Sequence, residues 1–145
     1  MDQRSSIIWS AGFFDGEGHI AINHLLRQDG NHEYRMKLEV ANTVKESLEV
    51  LQSLWGGSIY EKKMTSPRYK AAWRWVVSAR LAVTALKDML PFLVIKQERA
   101  KLAIEFAESL NHPYRVSESE SFIRLSMIAK MRELNQRGVP VETST

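Results

Sequence analysis

The chain contains no cysteine, which excludes a disulfide framework and any thiolate-bound metal. It also lacks an apolar run approaching the roughly 20 residues of a membrane-spanning helix, so no membrane partner is expected. The opening Met-Asp-Gln-Arg-Ser-Ser has none of the basic-then-apolar layout of a secretory signal, and an intracellular location is expected. Charge of one sign is in short supply as well: the net charge is only +3, a weak pointer to nucleic acid. What the chain does have is 145 residues, 44% of them hydrophobic and 26% charged, enough for one domain around one core. That domain is expected over residues 1–137, with a frayed tail at 138–145.

One segment stands apart from this ordinary background. Residues 10–18 read Ser-Ala-Gly-Phe-Phe-Asp-Gly-Glu-Gly and occur once. The run begins as a small-residue helix and ends in two carboxylates set between glycines. A helix C-terminus is the negative end of the macrodipole, so Asp15 and Glu17 are badly placed there unless a cation joins them. Gly16 and Gly18 allow close backbone approach. The combination points to a hard divalent ion; the alternative for Glu17 is a solvated helix end.

Beyond this segment the periodicity alternates between two kinds. From His19 the pattern has period two, with Ile20 and Ile22 on one face and His19, Ala21 and Asn23 on the other. A turn cluster at Gln28-Asp-Gly-Asn31 leads into a second alternating run, with Tyr34, Met36, Leu38 and Val40 inward and Glu33, Arg35, Lys37 and Glu39 outward. A helix follows, opened by a Thr43–Glu46 capping box, carrying Val44, Leu48, Leu51 and Trp55 at helical spacing, and closed by Gly56-Gly57.

The alternation then returns. A second hairpin is expected from Ser58 to Lys63, a turn around Thr65–Arg68, and Lys70 to Ser78. Its tryptophans, Trp73 and Trp75, share a face with Val77 and read as core packing in preference to base-stacking platforms. Ser78 caps a short helix that Pro91 stops. A longer helix covers about Ile95 to Leu110, ending at Asn111-His-Pro113. A Ser117–Glu120 capping box opens a final helix bearing Phe122, Leu125 and Ile128 and running to about Leu134.

The element order is α-β-β-α-β-β-α with further helices appended, an α+β fold. It implies a four-stranded antiparallel sheet with helices on its apolar face. The other face stays polar. Between Gly57 and Arg80 the sequence gathers Lys62, Lys63, Arg68, Lys70, Arg74 and Arg80 against the single acid Glu61; taken alone, such a stretch reads as a solvated face. A twisted sheet also fits the DNA major groove. Strands of about nine residues reach about 30 Å, near one turn of B-DNA.

The residues 10–18 segment resembles the signature of the LAGLIDADG homing endonucleases. The strand order is similar to that family's unit, and the likeness extends through Pro91-Phe-Leu-Val-Ile-Lys-Gln97 into the following helix, covering roughly residues 5–110. The resemblance implies a metal-dependent, site-specific DNA endonuclease that cuts a long pseudo-palindromic duplex and promotes homing of a mobile intron, with Mg2+ (or Mn2+) as cofactor. Relatives with one motif are similar in acting as homodimers, their signature helices packed together. Here Ala11, Gly12 and Gly16 are the small residues for that contact; the alternative is internal packing against the sheet.

By the same resemblance Glu17 takes the metal-binding position, with the Gly16 carbonyl as a backbone ligand, and Asp15 is more structural than catalytic. Lys96 corresponds to a lysine near the scissile phosphate; otherwise it is an exposed lysine at a helix start, where the dipole disfavours it. Asn42 stands where a water-positioning side chain is common, or is simply a turn or N-cap residue. Three departures are visible: Glu17 replaces an aspartate, Ser10 a leucine, and Asn42 a glutamine.

Parity assigns DNA reading to the outward strand residues: His19, Ala21, Asn23, Leu25 and Arg27; Glu33, Arg35, Lys37 and Glu39; Tyr60 and Lys62; and Lys70, Ala72, Arg74 and Val76. His24 and His112 lack partners at metal-ligand spacing in sequence and read as structural. Three functions compete on this reading. They are the homodimeric endonuclease, a non-catalytic nucleic-acid binder of the same fold (an RNA maturase or regulator), and a plain structural domain.

Overall fold

The computed structural model describes residues 1–30, 32–63, 71–110 and 118–136. The chain opens with α1 (Gln3–Glu17), whose first turn is capped by the Asp2 carboxylate accepting from the Ser5 amide at 2.7 Å. Strands β1 (Gly18–Leu26) and β2 (His32–Asn42) pair as a hairpin, followed by α2 (Lys45–Trp55). Next come β3 (Ser58–Lys62), β4 (Ala72–Ser78) and α3 (Ala79–Met89). A 3₁₀ turn at Leu90–Phe92, α4 (Gln97–Ser109) and α5 (Glu118–Asn135) complete the described elements. The four strands form one antiparallel sheet in the order β1-β2-β4-β3.

The alternation in the sequence becomes the two faces of this sheet. Ile20, Ile22, Met36, Leu38, Val40, Trp75 and Val77 are buried on the inner face. Helices α1 to α4 add Phe14, Leu48, Leu51, Leu86, Met89 and Phe106 to the same core. Trp75 is fully buried and Trp73 packs against the core, so both tryptophans serve packing. The Trp75 indole also donates to the Gly56 carbonyl at 2.9 Å. That contact requires the chain to turn sharply between α2 and β3. Gly56 and Gly57 do so with φ of +76° and +88°, and a Cβ on Gly57 would lie 2.5 Å from the Val76 carbonyl oxygen.

Several local expectations change. The Thr43–Glu46 capping box does not form: α2 starts after Val44, with no side chain on its first amides. Asn42 takes over the turn, its Oδ1 accepting from the Val44 amide at 2.8 Å. Ser78 precedes α3 without a side-chain cap bond, and Ala79 enters the helix at φ +56°. The start of α4 moves from Ile95 to Gln97, because the preceding amides are held by a distant carboxylate.

On α5 the buried row is Arg124, Met127, Ile128 and Met131, while Phe122 and Leu125 are exposed. A spacing of three drifts around a 3.6-residue helix, so Phe122, Leu125 and Ile128 do not share one face with the core. The turn at Thr65–Arg68, Lys70, the Asn111–Pro113 stop, the Ser117 cap and the tail at 138–145 lie outside the described residues. Among the described residues no helix is long and apolar enough to cross a membrane.

Candidate active site and nucleic-acid interface

The end of α1 is stitched to the start of α4 by its two most distinctive residues. Asp15 is 7% exposed, and its carboxylate accepts three backbone amides from the far side of the sequence. Oδ2 takes Val94 at 2.7 Å, while Oδ1 takes Ile95 at 3.1 Å and Lys96 at 2.9 Å. The amides of residues 94–96 lie just ahead of α4, outside any helix or strand, so a carboxylate from α1 supplies the acceptor that local structure does not. In return, the Lys96 ammonium donates to the Asp15 carbonyl at 2.6 Å. The cation thereby meets the negative end of the α1 dipole.

Lys96 is therefore no exposed lysine. It is 4% exposed and bonded into the fold. The unfavourable dipole at the start of α4 is offset by the favourable one at the end of α1. Asp15 has the structural role read from the sequence, as a clamp on residues 94–96. Two residues further on, Glu17 is exposed at the last position of α1 and has no ion pair among the described residues. Gly18 then starts β1; a Cβ there would sit 2.3 Å from the Phe14 ring, so the close approach belongs to Phe14. Asn42, at the end of β2, spends its carbonyl oxygen on the local turn.

The small-residue set divides. Ala11 is fully buried within the chain's own core, on the face of α1 that packs inward, as the internal-packing alternative has it. Gly12 and Gly16 lie on the exposed face, and neither has a neighbouring atom within 4 Å of where a Cβ would stand. Two residues that sequence reasoning passed over, Ile8 and Trp9, are exposed on the same helix at 42% and 40%. Ile8, Gly12 and Gly16 recur at a spacing of four, and that period was the available signal. Val94 and Ile95, held by the Asp15 clamp, also expose apolar side chains. Ser10, in place of a leucine, is buried, and its hydroxyl has no hydrogen-bond partner among the described residues.

The parity list describes the open face of the sheet. His19, Asn23, Leu25, Arg27, Arg35, Tyr60, Lys62 and Arg74 are exposed; Ala21, Glu33, Lys37, Glu39, Ala72 and Val76 are half-buried. Lys70 lies outside the described residues. Cross-strand register sets His19 opposite Glu39, Ala21 opposite Lys37 and Asn23 opposite Arg35, with Arg74 between Ala41 and Tyr60. Ion pairs organise part of this face. Glu33 bridges Arg35 at 2.9 Å and Arg27 at 3.6 Å, and Glu39 holds Arg74 at 2.9 Å.

One pairing was invisible in the linear spacing. His24 Nε2 lies 2.6 Å from His32 Nδ1, and the two rings stack with Tyr34. Hairpin register brings them together across eight residues of sequence, next to Arg124, whose guanidinium lies 5.3 Å from the Tyr34 ring centre. The cluster ties the hairpin to α5, consistent with a structural His24. His112 lies outside the described residues.

Comparison with known proteins gives the same architecture. Residues 10–91, more than half the chain, match the family model described as LAGLIDADG endonuclease. The homing endonuclease I-CvuI, solved in complex with its target in the presence of calcium, is similar at 23% identity and a TM-score of 0.73. That match covers 90% of this chain and 82% of I-CvuI. The archaeal intron-encoded homing endonuclease I-Vdi141I, solved with DNA, is similar at 17% identity and a TM-score of 0.77, covering 94% of this chain and 88% of that one. I-GzeII, also solved with its DNA target, matches at 18% identity and a TM-score of 0.64 over 87% of this chain but only 43% of its own. No curated protein sequence matches. With the motif, the sheet order and the family match in agreement, the chain belongs to the LAGLIDADG homing endonuclease family.

Proposed function

We propose that this protein is a divalent-metal-dependent endonuclease that cuts long, pseudo-palindromic duplex DNA as a homodimer and so promotes the homing of a mobile intron. The observation that carries the reading is the end of α1. There Glu17 stands exposed, with no ion-pair partner among the described residues, beside an acid and a lysine that are both locked into the fold. A residue kept free while its neighbours are pinned is suited to an external ligand.

The donors suit Mg2+ or Mn2+. The Glu17 carboxylate and the Gly16 carbonyl are hard oxygens, the type such ions take. When bound, the ion supplies charge neutralisation at the phosphate and a water of lowered pKa. Among the described residues no three metal-ligating side chains lie together. One chain thus brings one exposed carboxylate, and a two-fold partner brings the second. Gly12 and Gly16 form the close-approach face of α1, flanked by Ile8 and Trp9. Lys96 keeps a fixed cation beside the motif, and the Asn42 amide nitrogen, its oxygen held by the Val44 amide, serves to position water. The open sheet face carries the DNA.

The reading is tested with purified protein, a randomised duplex library and magnesium, beside Glu17→Gln. Wild type is expected to cleave, and the variant to bind DNA while cleaving about 100-fold more slowly or worse. Equal cleavage by Glu17→Gln overturns the site assignment. Binding without cleavage by the wild type makes the chain a non-catalytic nucleic-acid binder.

A further inference from the structure

The two sets of ion pairs on the open face differ in charge and in place, and the difference is informative. Arg27, Glu33 and Arg35 gather two guanidiniums around one carboxylate near the β1–β2 turn, with a net charge of +1. Their arginines are 60% and 57% exposed. Such a cluster suits phosphate, which binds positive charge without regard to sequence. Arg74 and Glu39 form instead a neutral pair on the two central strands of the sheet. Glu39 is only 20% exposed, so its carboxylate is walled in, while Arg74 is 47% exposed.

Register explains how the pair forms. Arg74 lies opposite Ala41, whose methyl leaves the guanidinium room to lean along β2 towards Glu39. On its other side stands Tyr60. The contact uses one guanidinium nitrogen, Nη1, at 2.9 Å. Arginine has further N–H donors in a fixed fork, and these have no partner among the described residues. A long side chain free in solution loses much rotamer entropy when it binds; one already held by a half-buried carboxylate loses less.

Resting on the DNA-reading function proposed above, we infer that Glu39 is a positioning residue that holds Arg74 to read a G·C base pair. The chemistry selects this ligand over phosphate. A neutral pair gains little from a phosphate, and its carboxylate repels one. The major-groove edge of G·C presents two acceptors on guanine, N7 and O6, beside the cytosine N4 donor. The fork of Arg74 supplies the paired donors that guanine N7 and O6 take, and Glu39 keeps that fork in place.

The test is binding selection from randomised duplexes without divalent metal, using wild type, Arg74→Ala, Glu39→Ala and Glu39→Gln. All three substitutions lie on the open face of the sheet, and circular dichroism checks that each variant folds. Wild type is expected to select G·C at one fixed position per half-site. Arg74→Ala loses that preference alone, by about tenfold or more. Glu39→Ala weakens it by several-fold while affinity for unrelated duplex stays equal or rises. Glu39→Gln, which keeps an oxygen for Arg74, falls between. If wild type selects a site and Arg74→Ala or Glu39→Ala selects the same site with the same base preferences, the inference is overturned and the DNA-reading function stands. If wild type enriches no duplex at all, both fall together.

Discussion

The α1–α4 junction and the open face of the sheet use the same residue types for opposite ends. At the junction an aspartate and a lysine are buried, and each bonds to backbone of the other's segment across some eighty residues of sequence. On the sheet, glutamates pair side chain to side chain with arginines that stay 47–60% exposed. Buried, charge-assisted bonds are strong and costly to break; exposed pairs are weak, screened and exchangeable. The junction therefore fixes where Glu17 and Lys96 stand, while the sheet can trade its ion pairs for contacts to another polyanion or base edge. Mutations should separate the two regions by size of effect and by what they change.

The largest effect is expected from Asp15→Ala. It leaves three amides of residues 94–96 without their acceptor, one in a buried setting and two in a part-buried one. Charge-assisted bonds of this kind contribute about 1.5–3 kcal/mol each, and their losses are not additive, so about 3–5 kcal/mol of stability should go. Urea denaturation measures it. A loss below about 1 kcal/mol would break the comparison, because the junction would then behave like the surface.

Glycine positions sharpen the contrast at the next level. Gly18→Ala forces a methyl into the Phe14 ring and should cost about 1–3 kcal/mol. Gly12→Ala meets no atom within 4 Å; it should leave the monomer as stable or raise stability by up to about 1 kcal/mol through helix propensity. Its effect should appear in association instead. Sedimentation velocity over a range of concentrations is expected to show a dimer weaker by about tenfold for Gly12→Ala. An unchanged dimer would mean that this face of α1 is not the interface.

Much of this was legible in the sequence, for identifiable reasons. Period-two alternation marked both sheet faces most clearly on β2, where Met36 and Leu38 are apolar and buried while Arg35, Lys37 and Glu39 between and beside them are charged. The motif marked the end of α1 because carboxylates at that end need an explanation. What was not legible depends on contacts between distant residues. Nothing near Lys96 in sequence announces that its ammonium ends on Asp15, or that Asp15 caps residues 94–96. Likewise the burial of Ala11 and the pairing of His24 with His32 follow from how elements pack and register, which local spacing does not encode. The misread face of α5 has a simpler cause. Phe122 and Leu125 are apolar but belong to a row that turns away from the core.

The smallest expected effect on stability comes from the open face, and it sharpens the comparison most finely. Glu33 is a third exposed and serves two arginines that are more exposed still. Pairs of that kind contribute about 0–1 kcal/mol, so Glu33→Gln should change stability by less than about 1 kcal/mol. The same change removes the one acid of the cluster and frees Arg27 and Arg35 for phosphate. Affinity for unrelated duplex should then rise, and the plot of log affinity against log salt should steepen by up to about one unit. Base preference should stay as it was, unlike the Glu39 substitutions, because phosphate contacts carry no sequence information. Fluorescence anisotropy across a salt series reads both quantities. A large loss of stability would move this cluster into the class of the junction, and an unchanged slope would remove phosphate as its ligand.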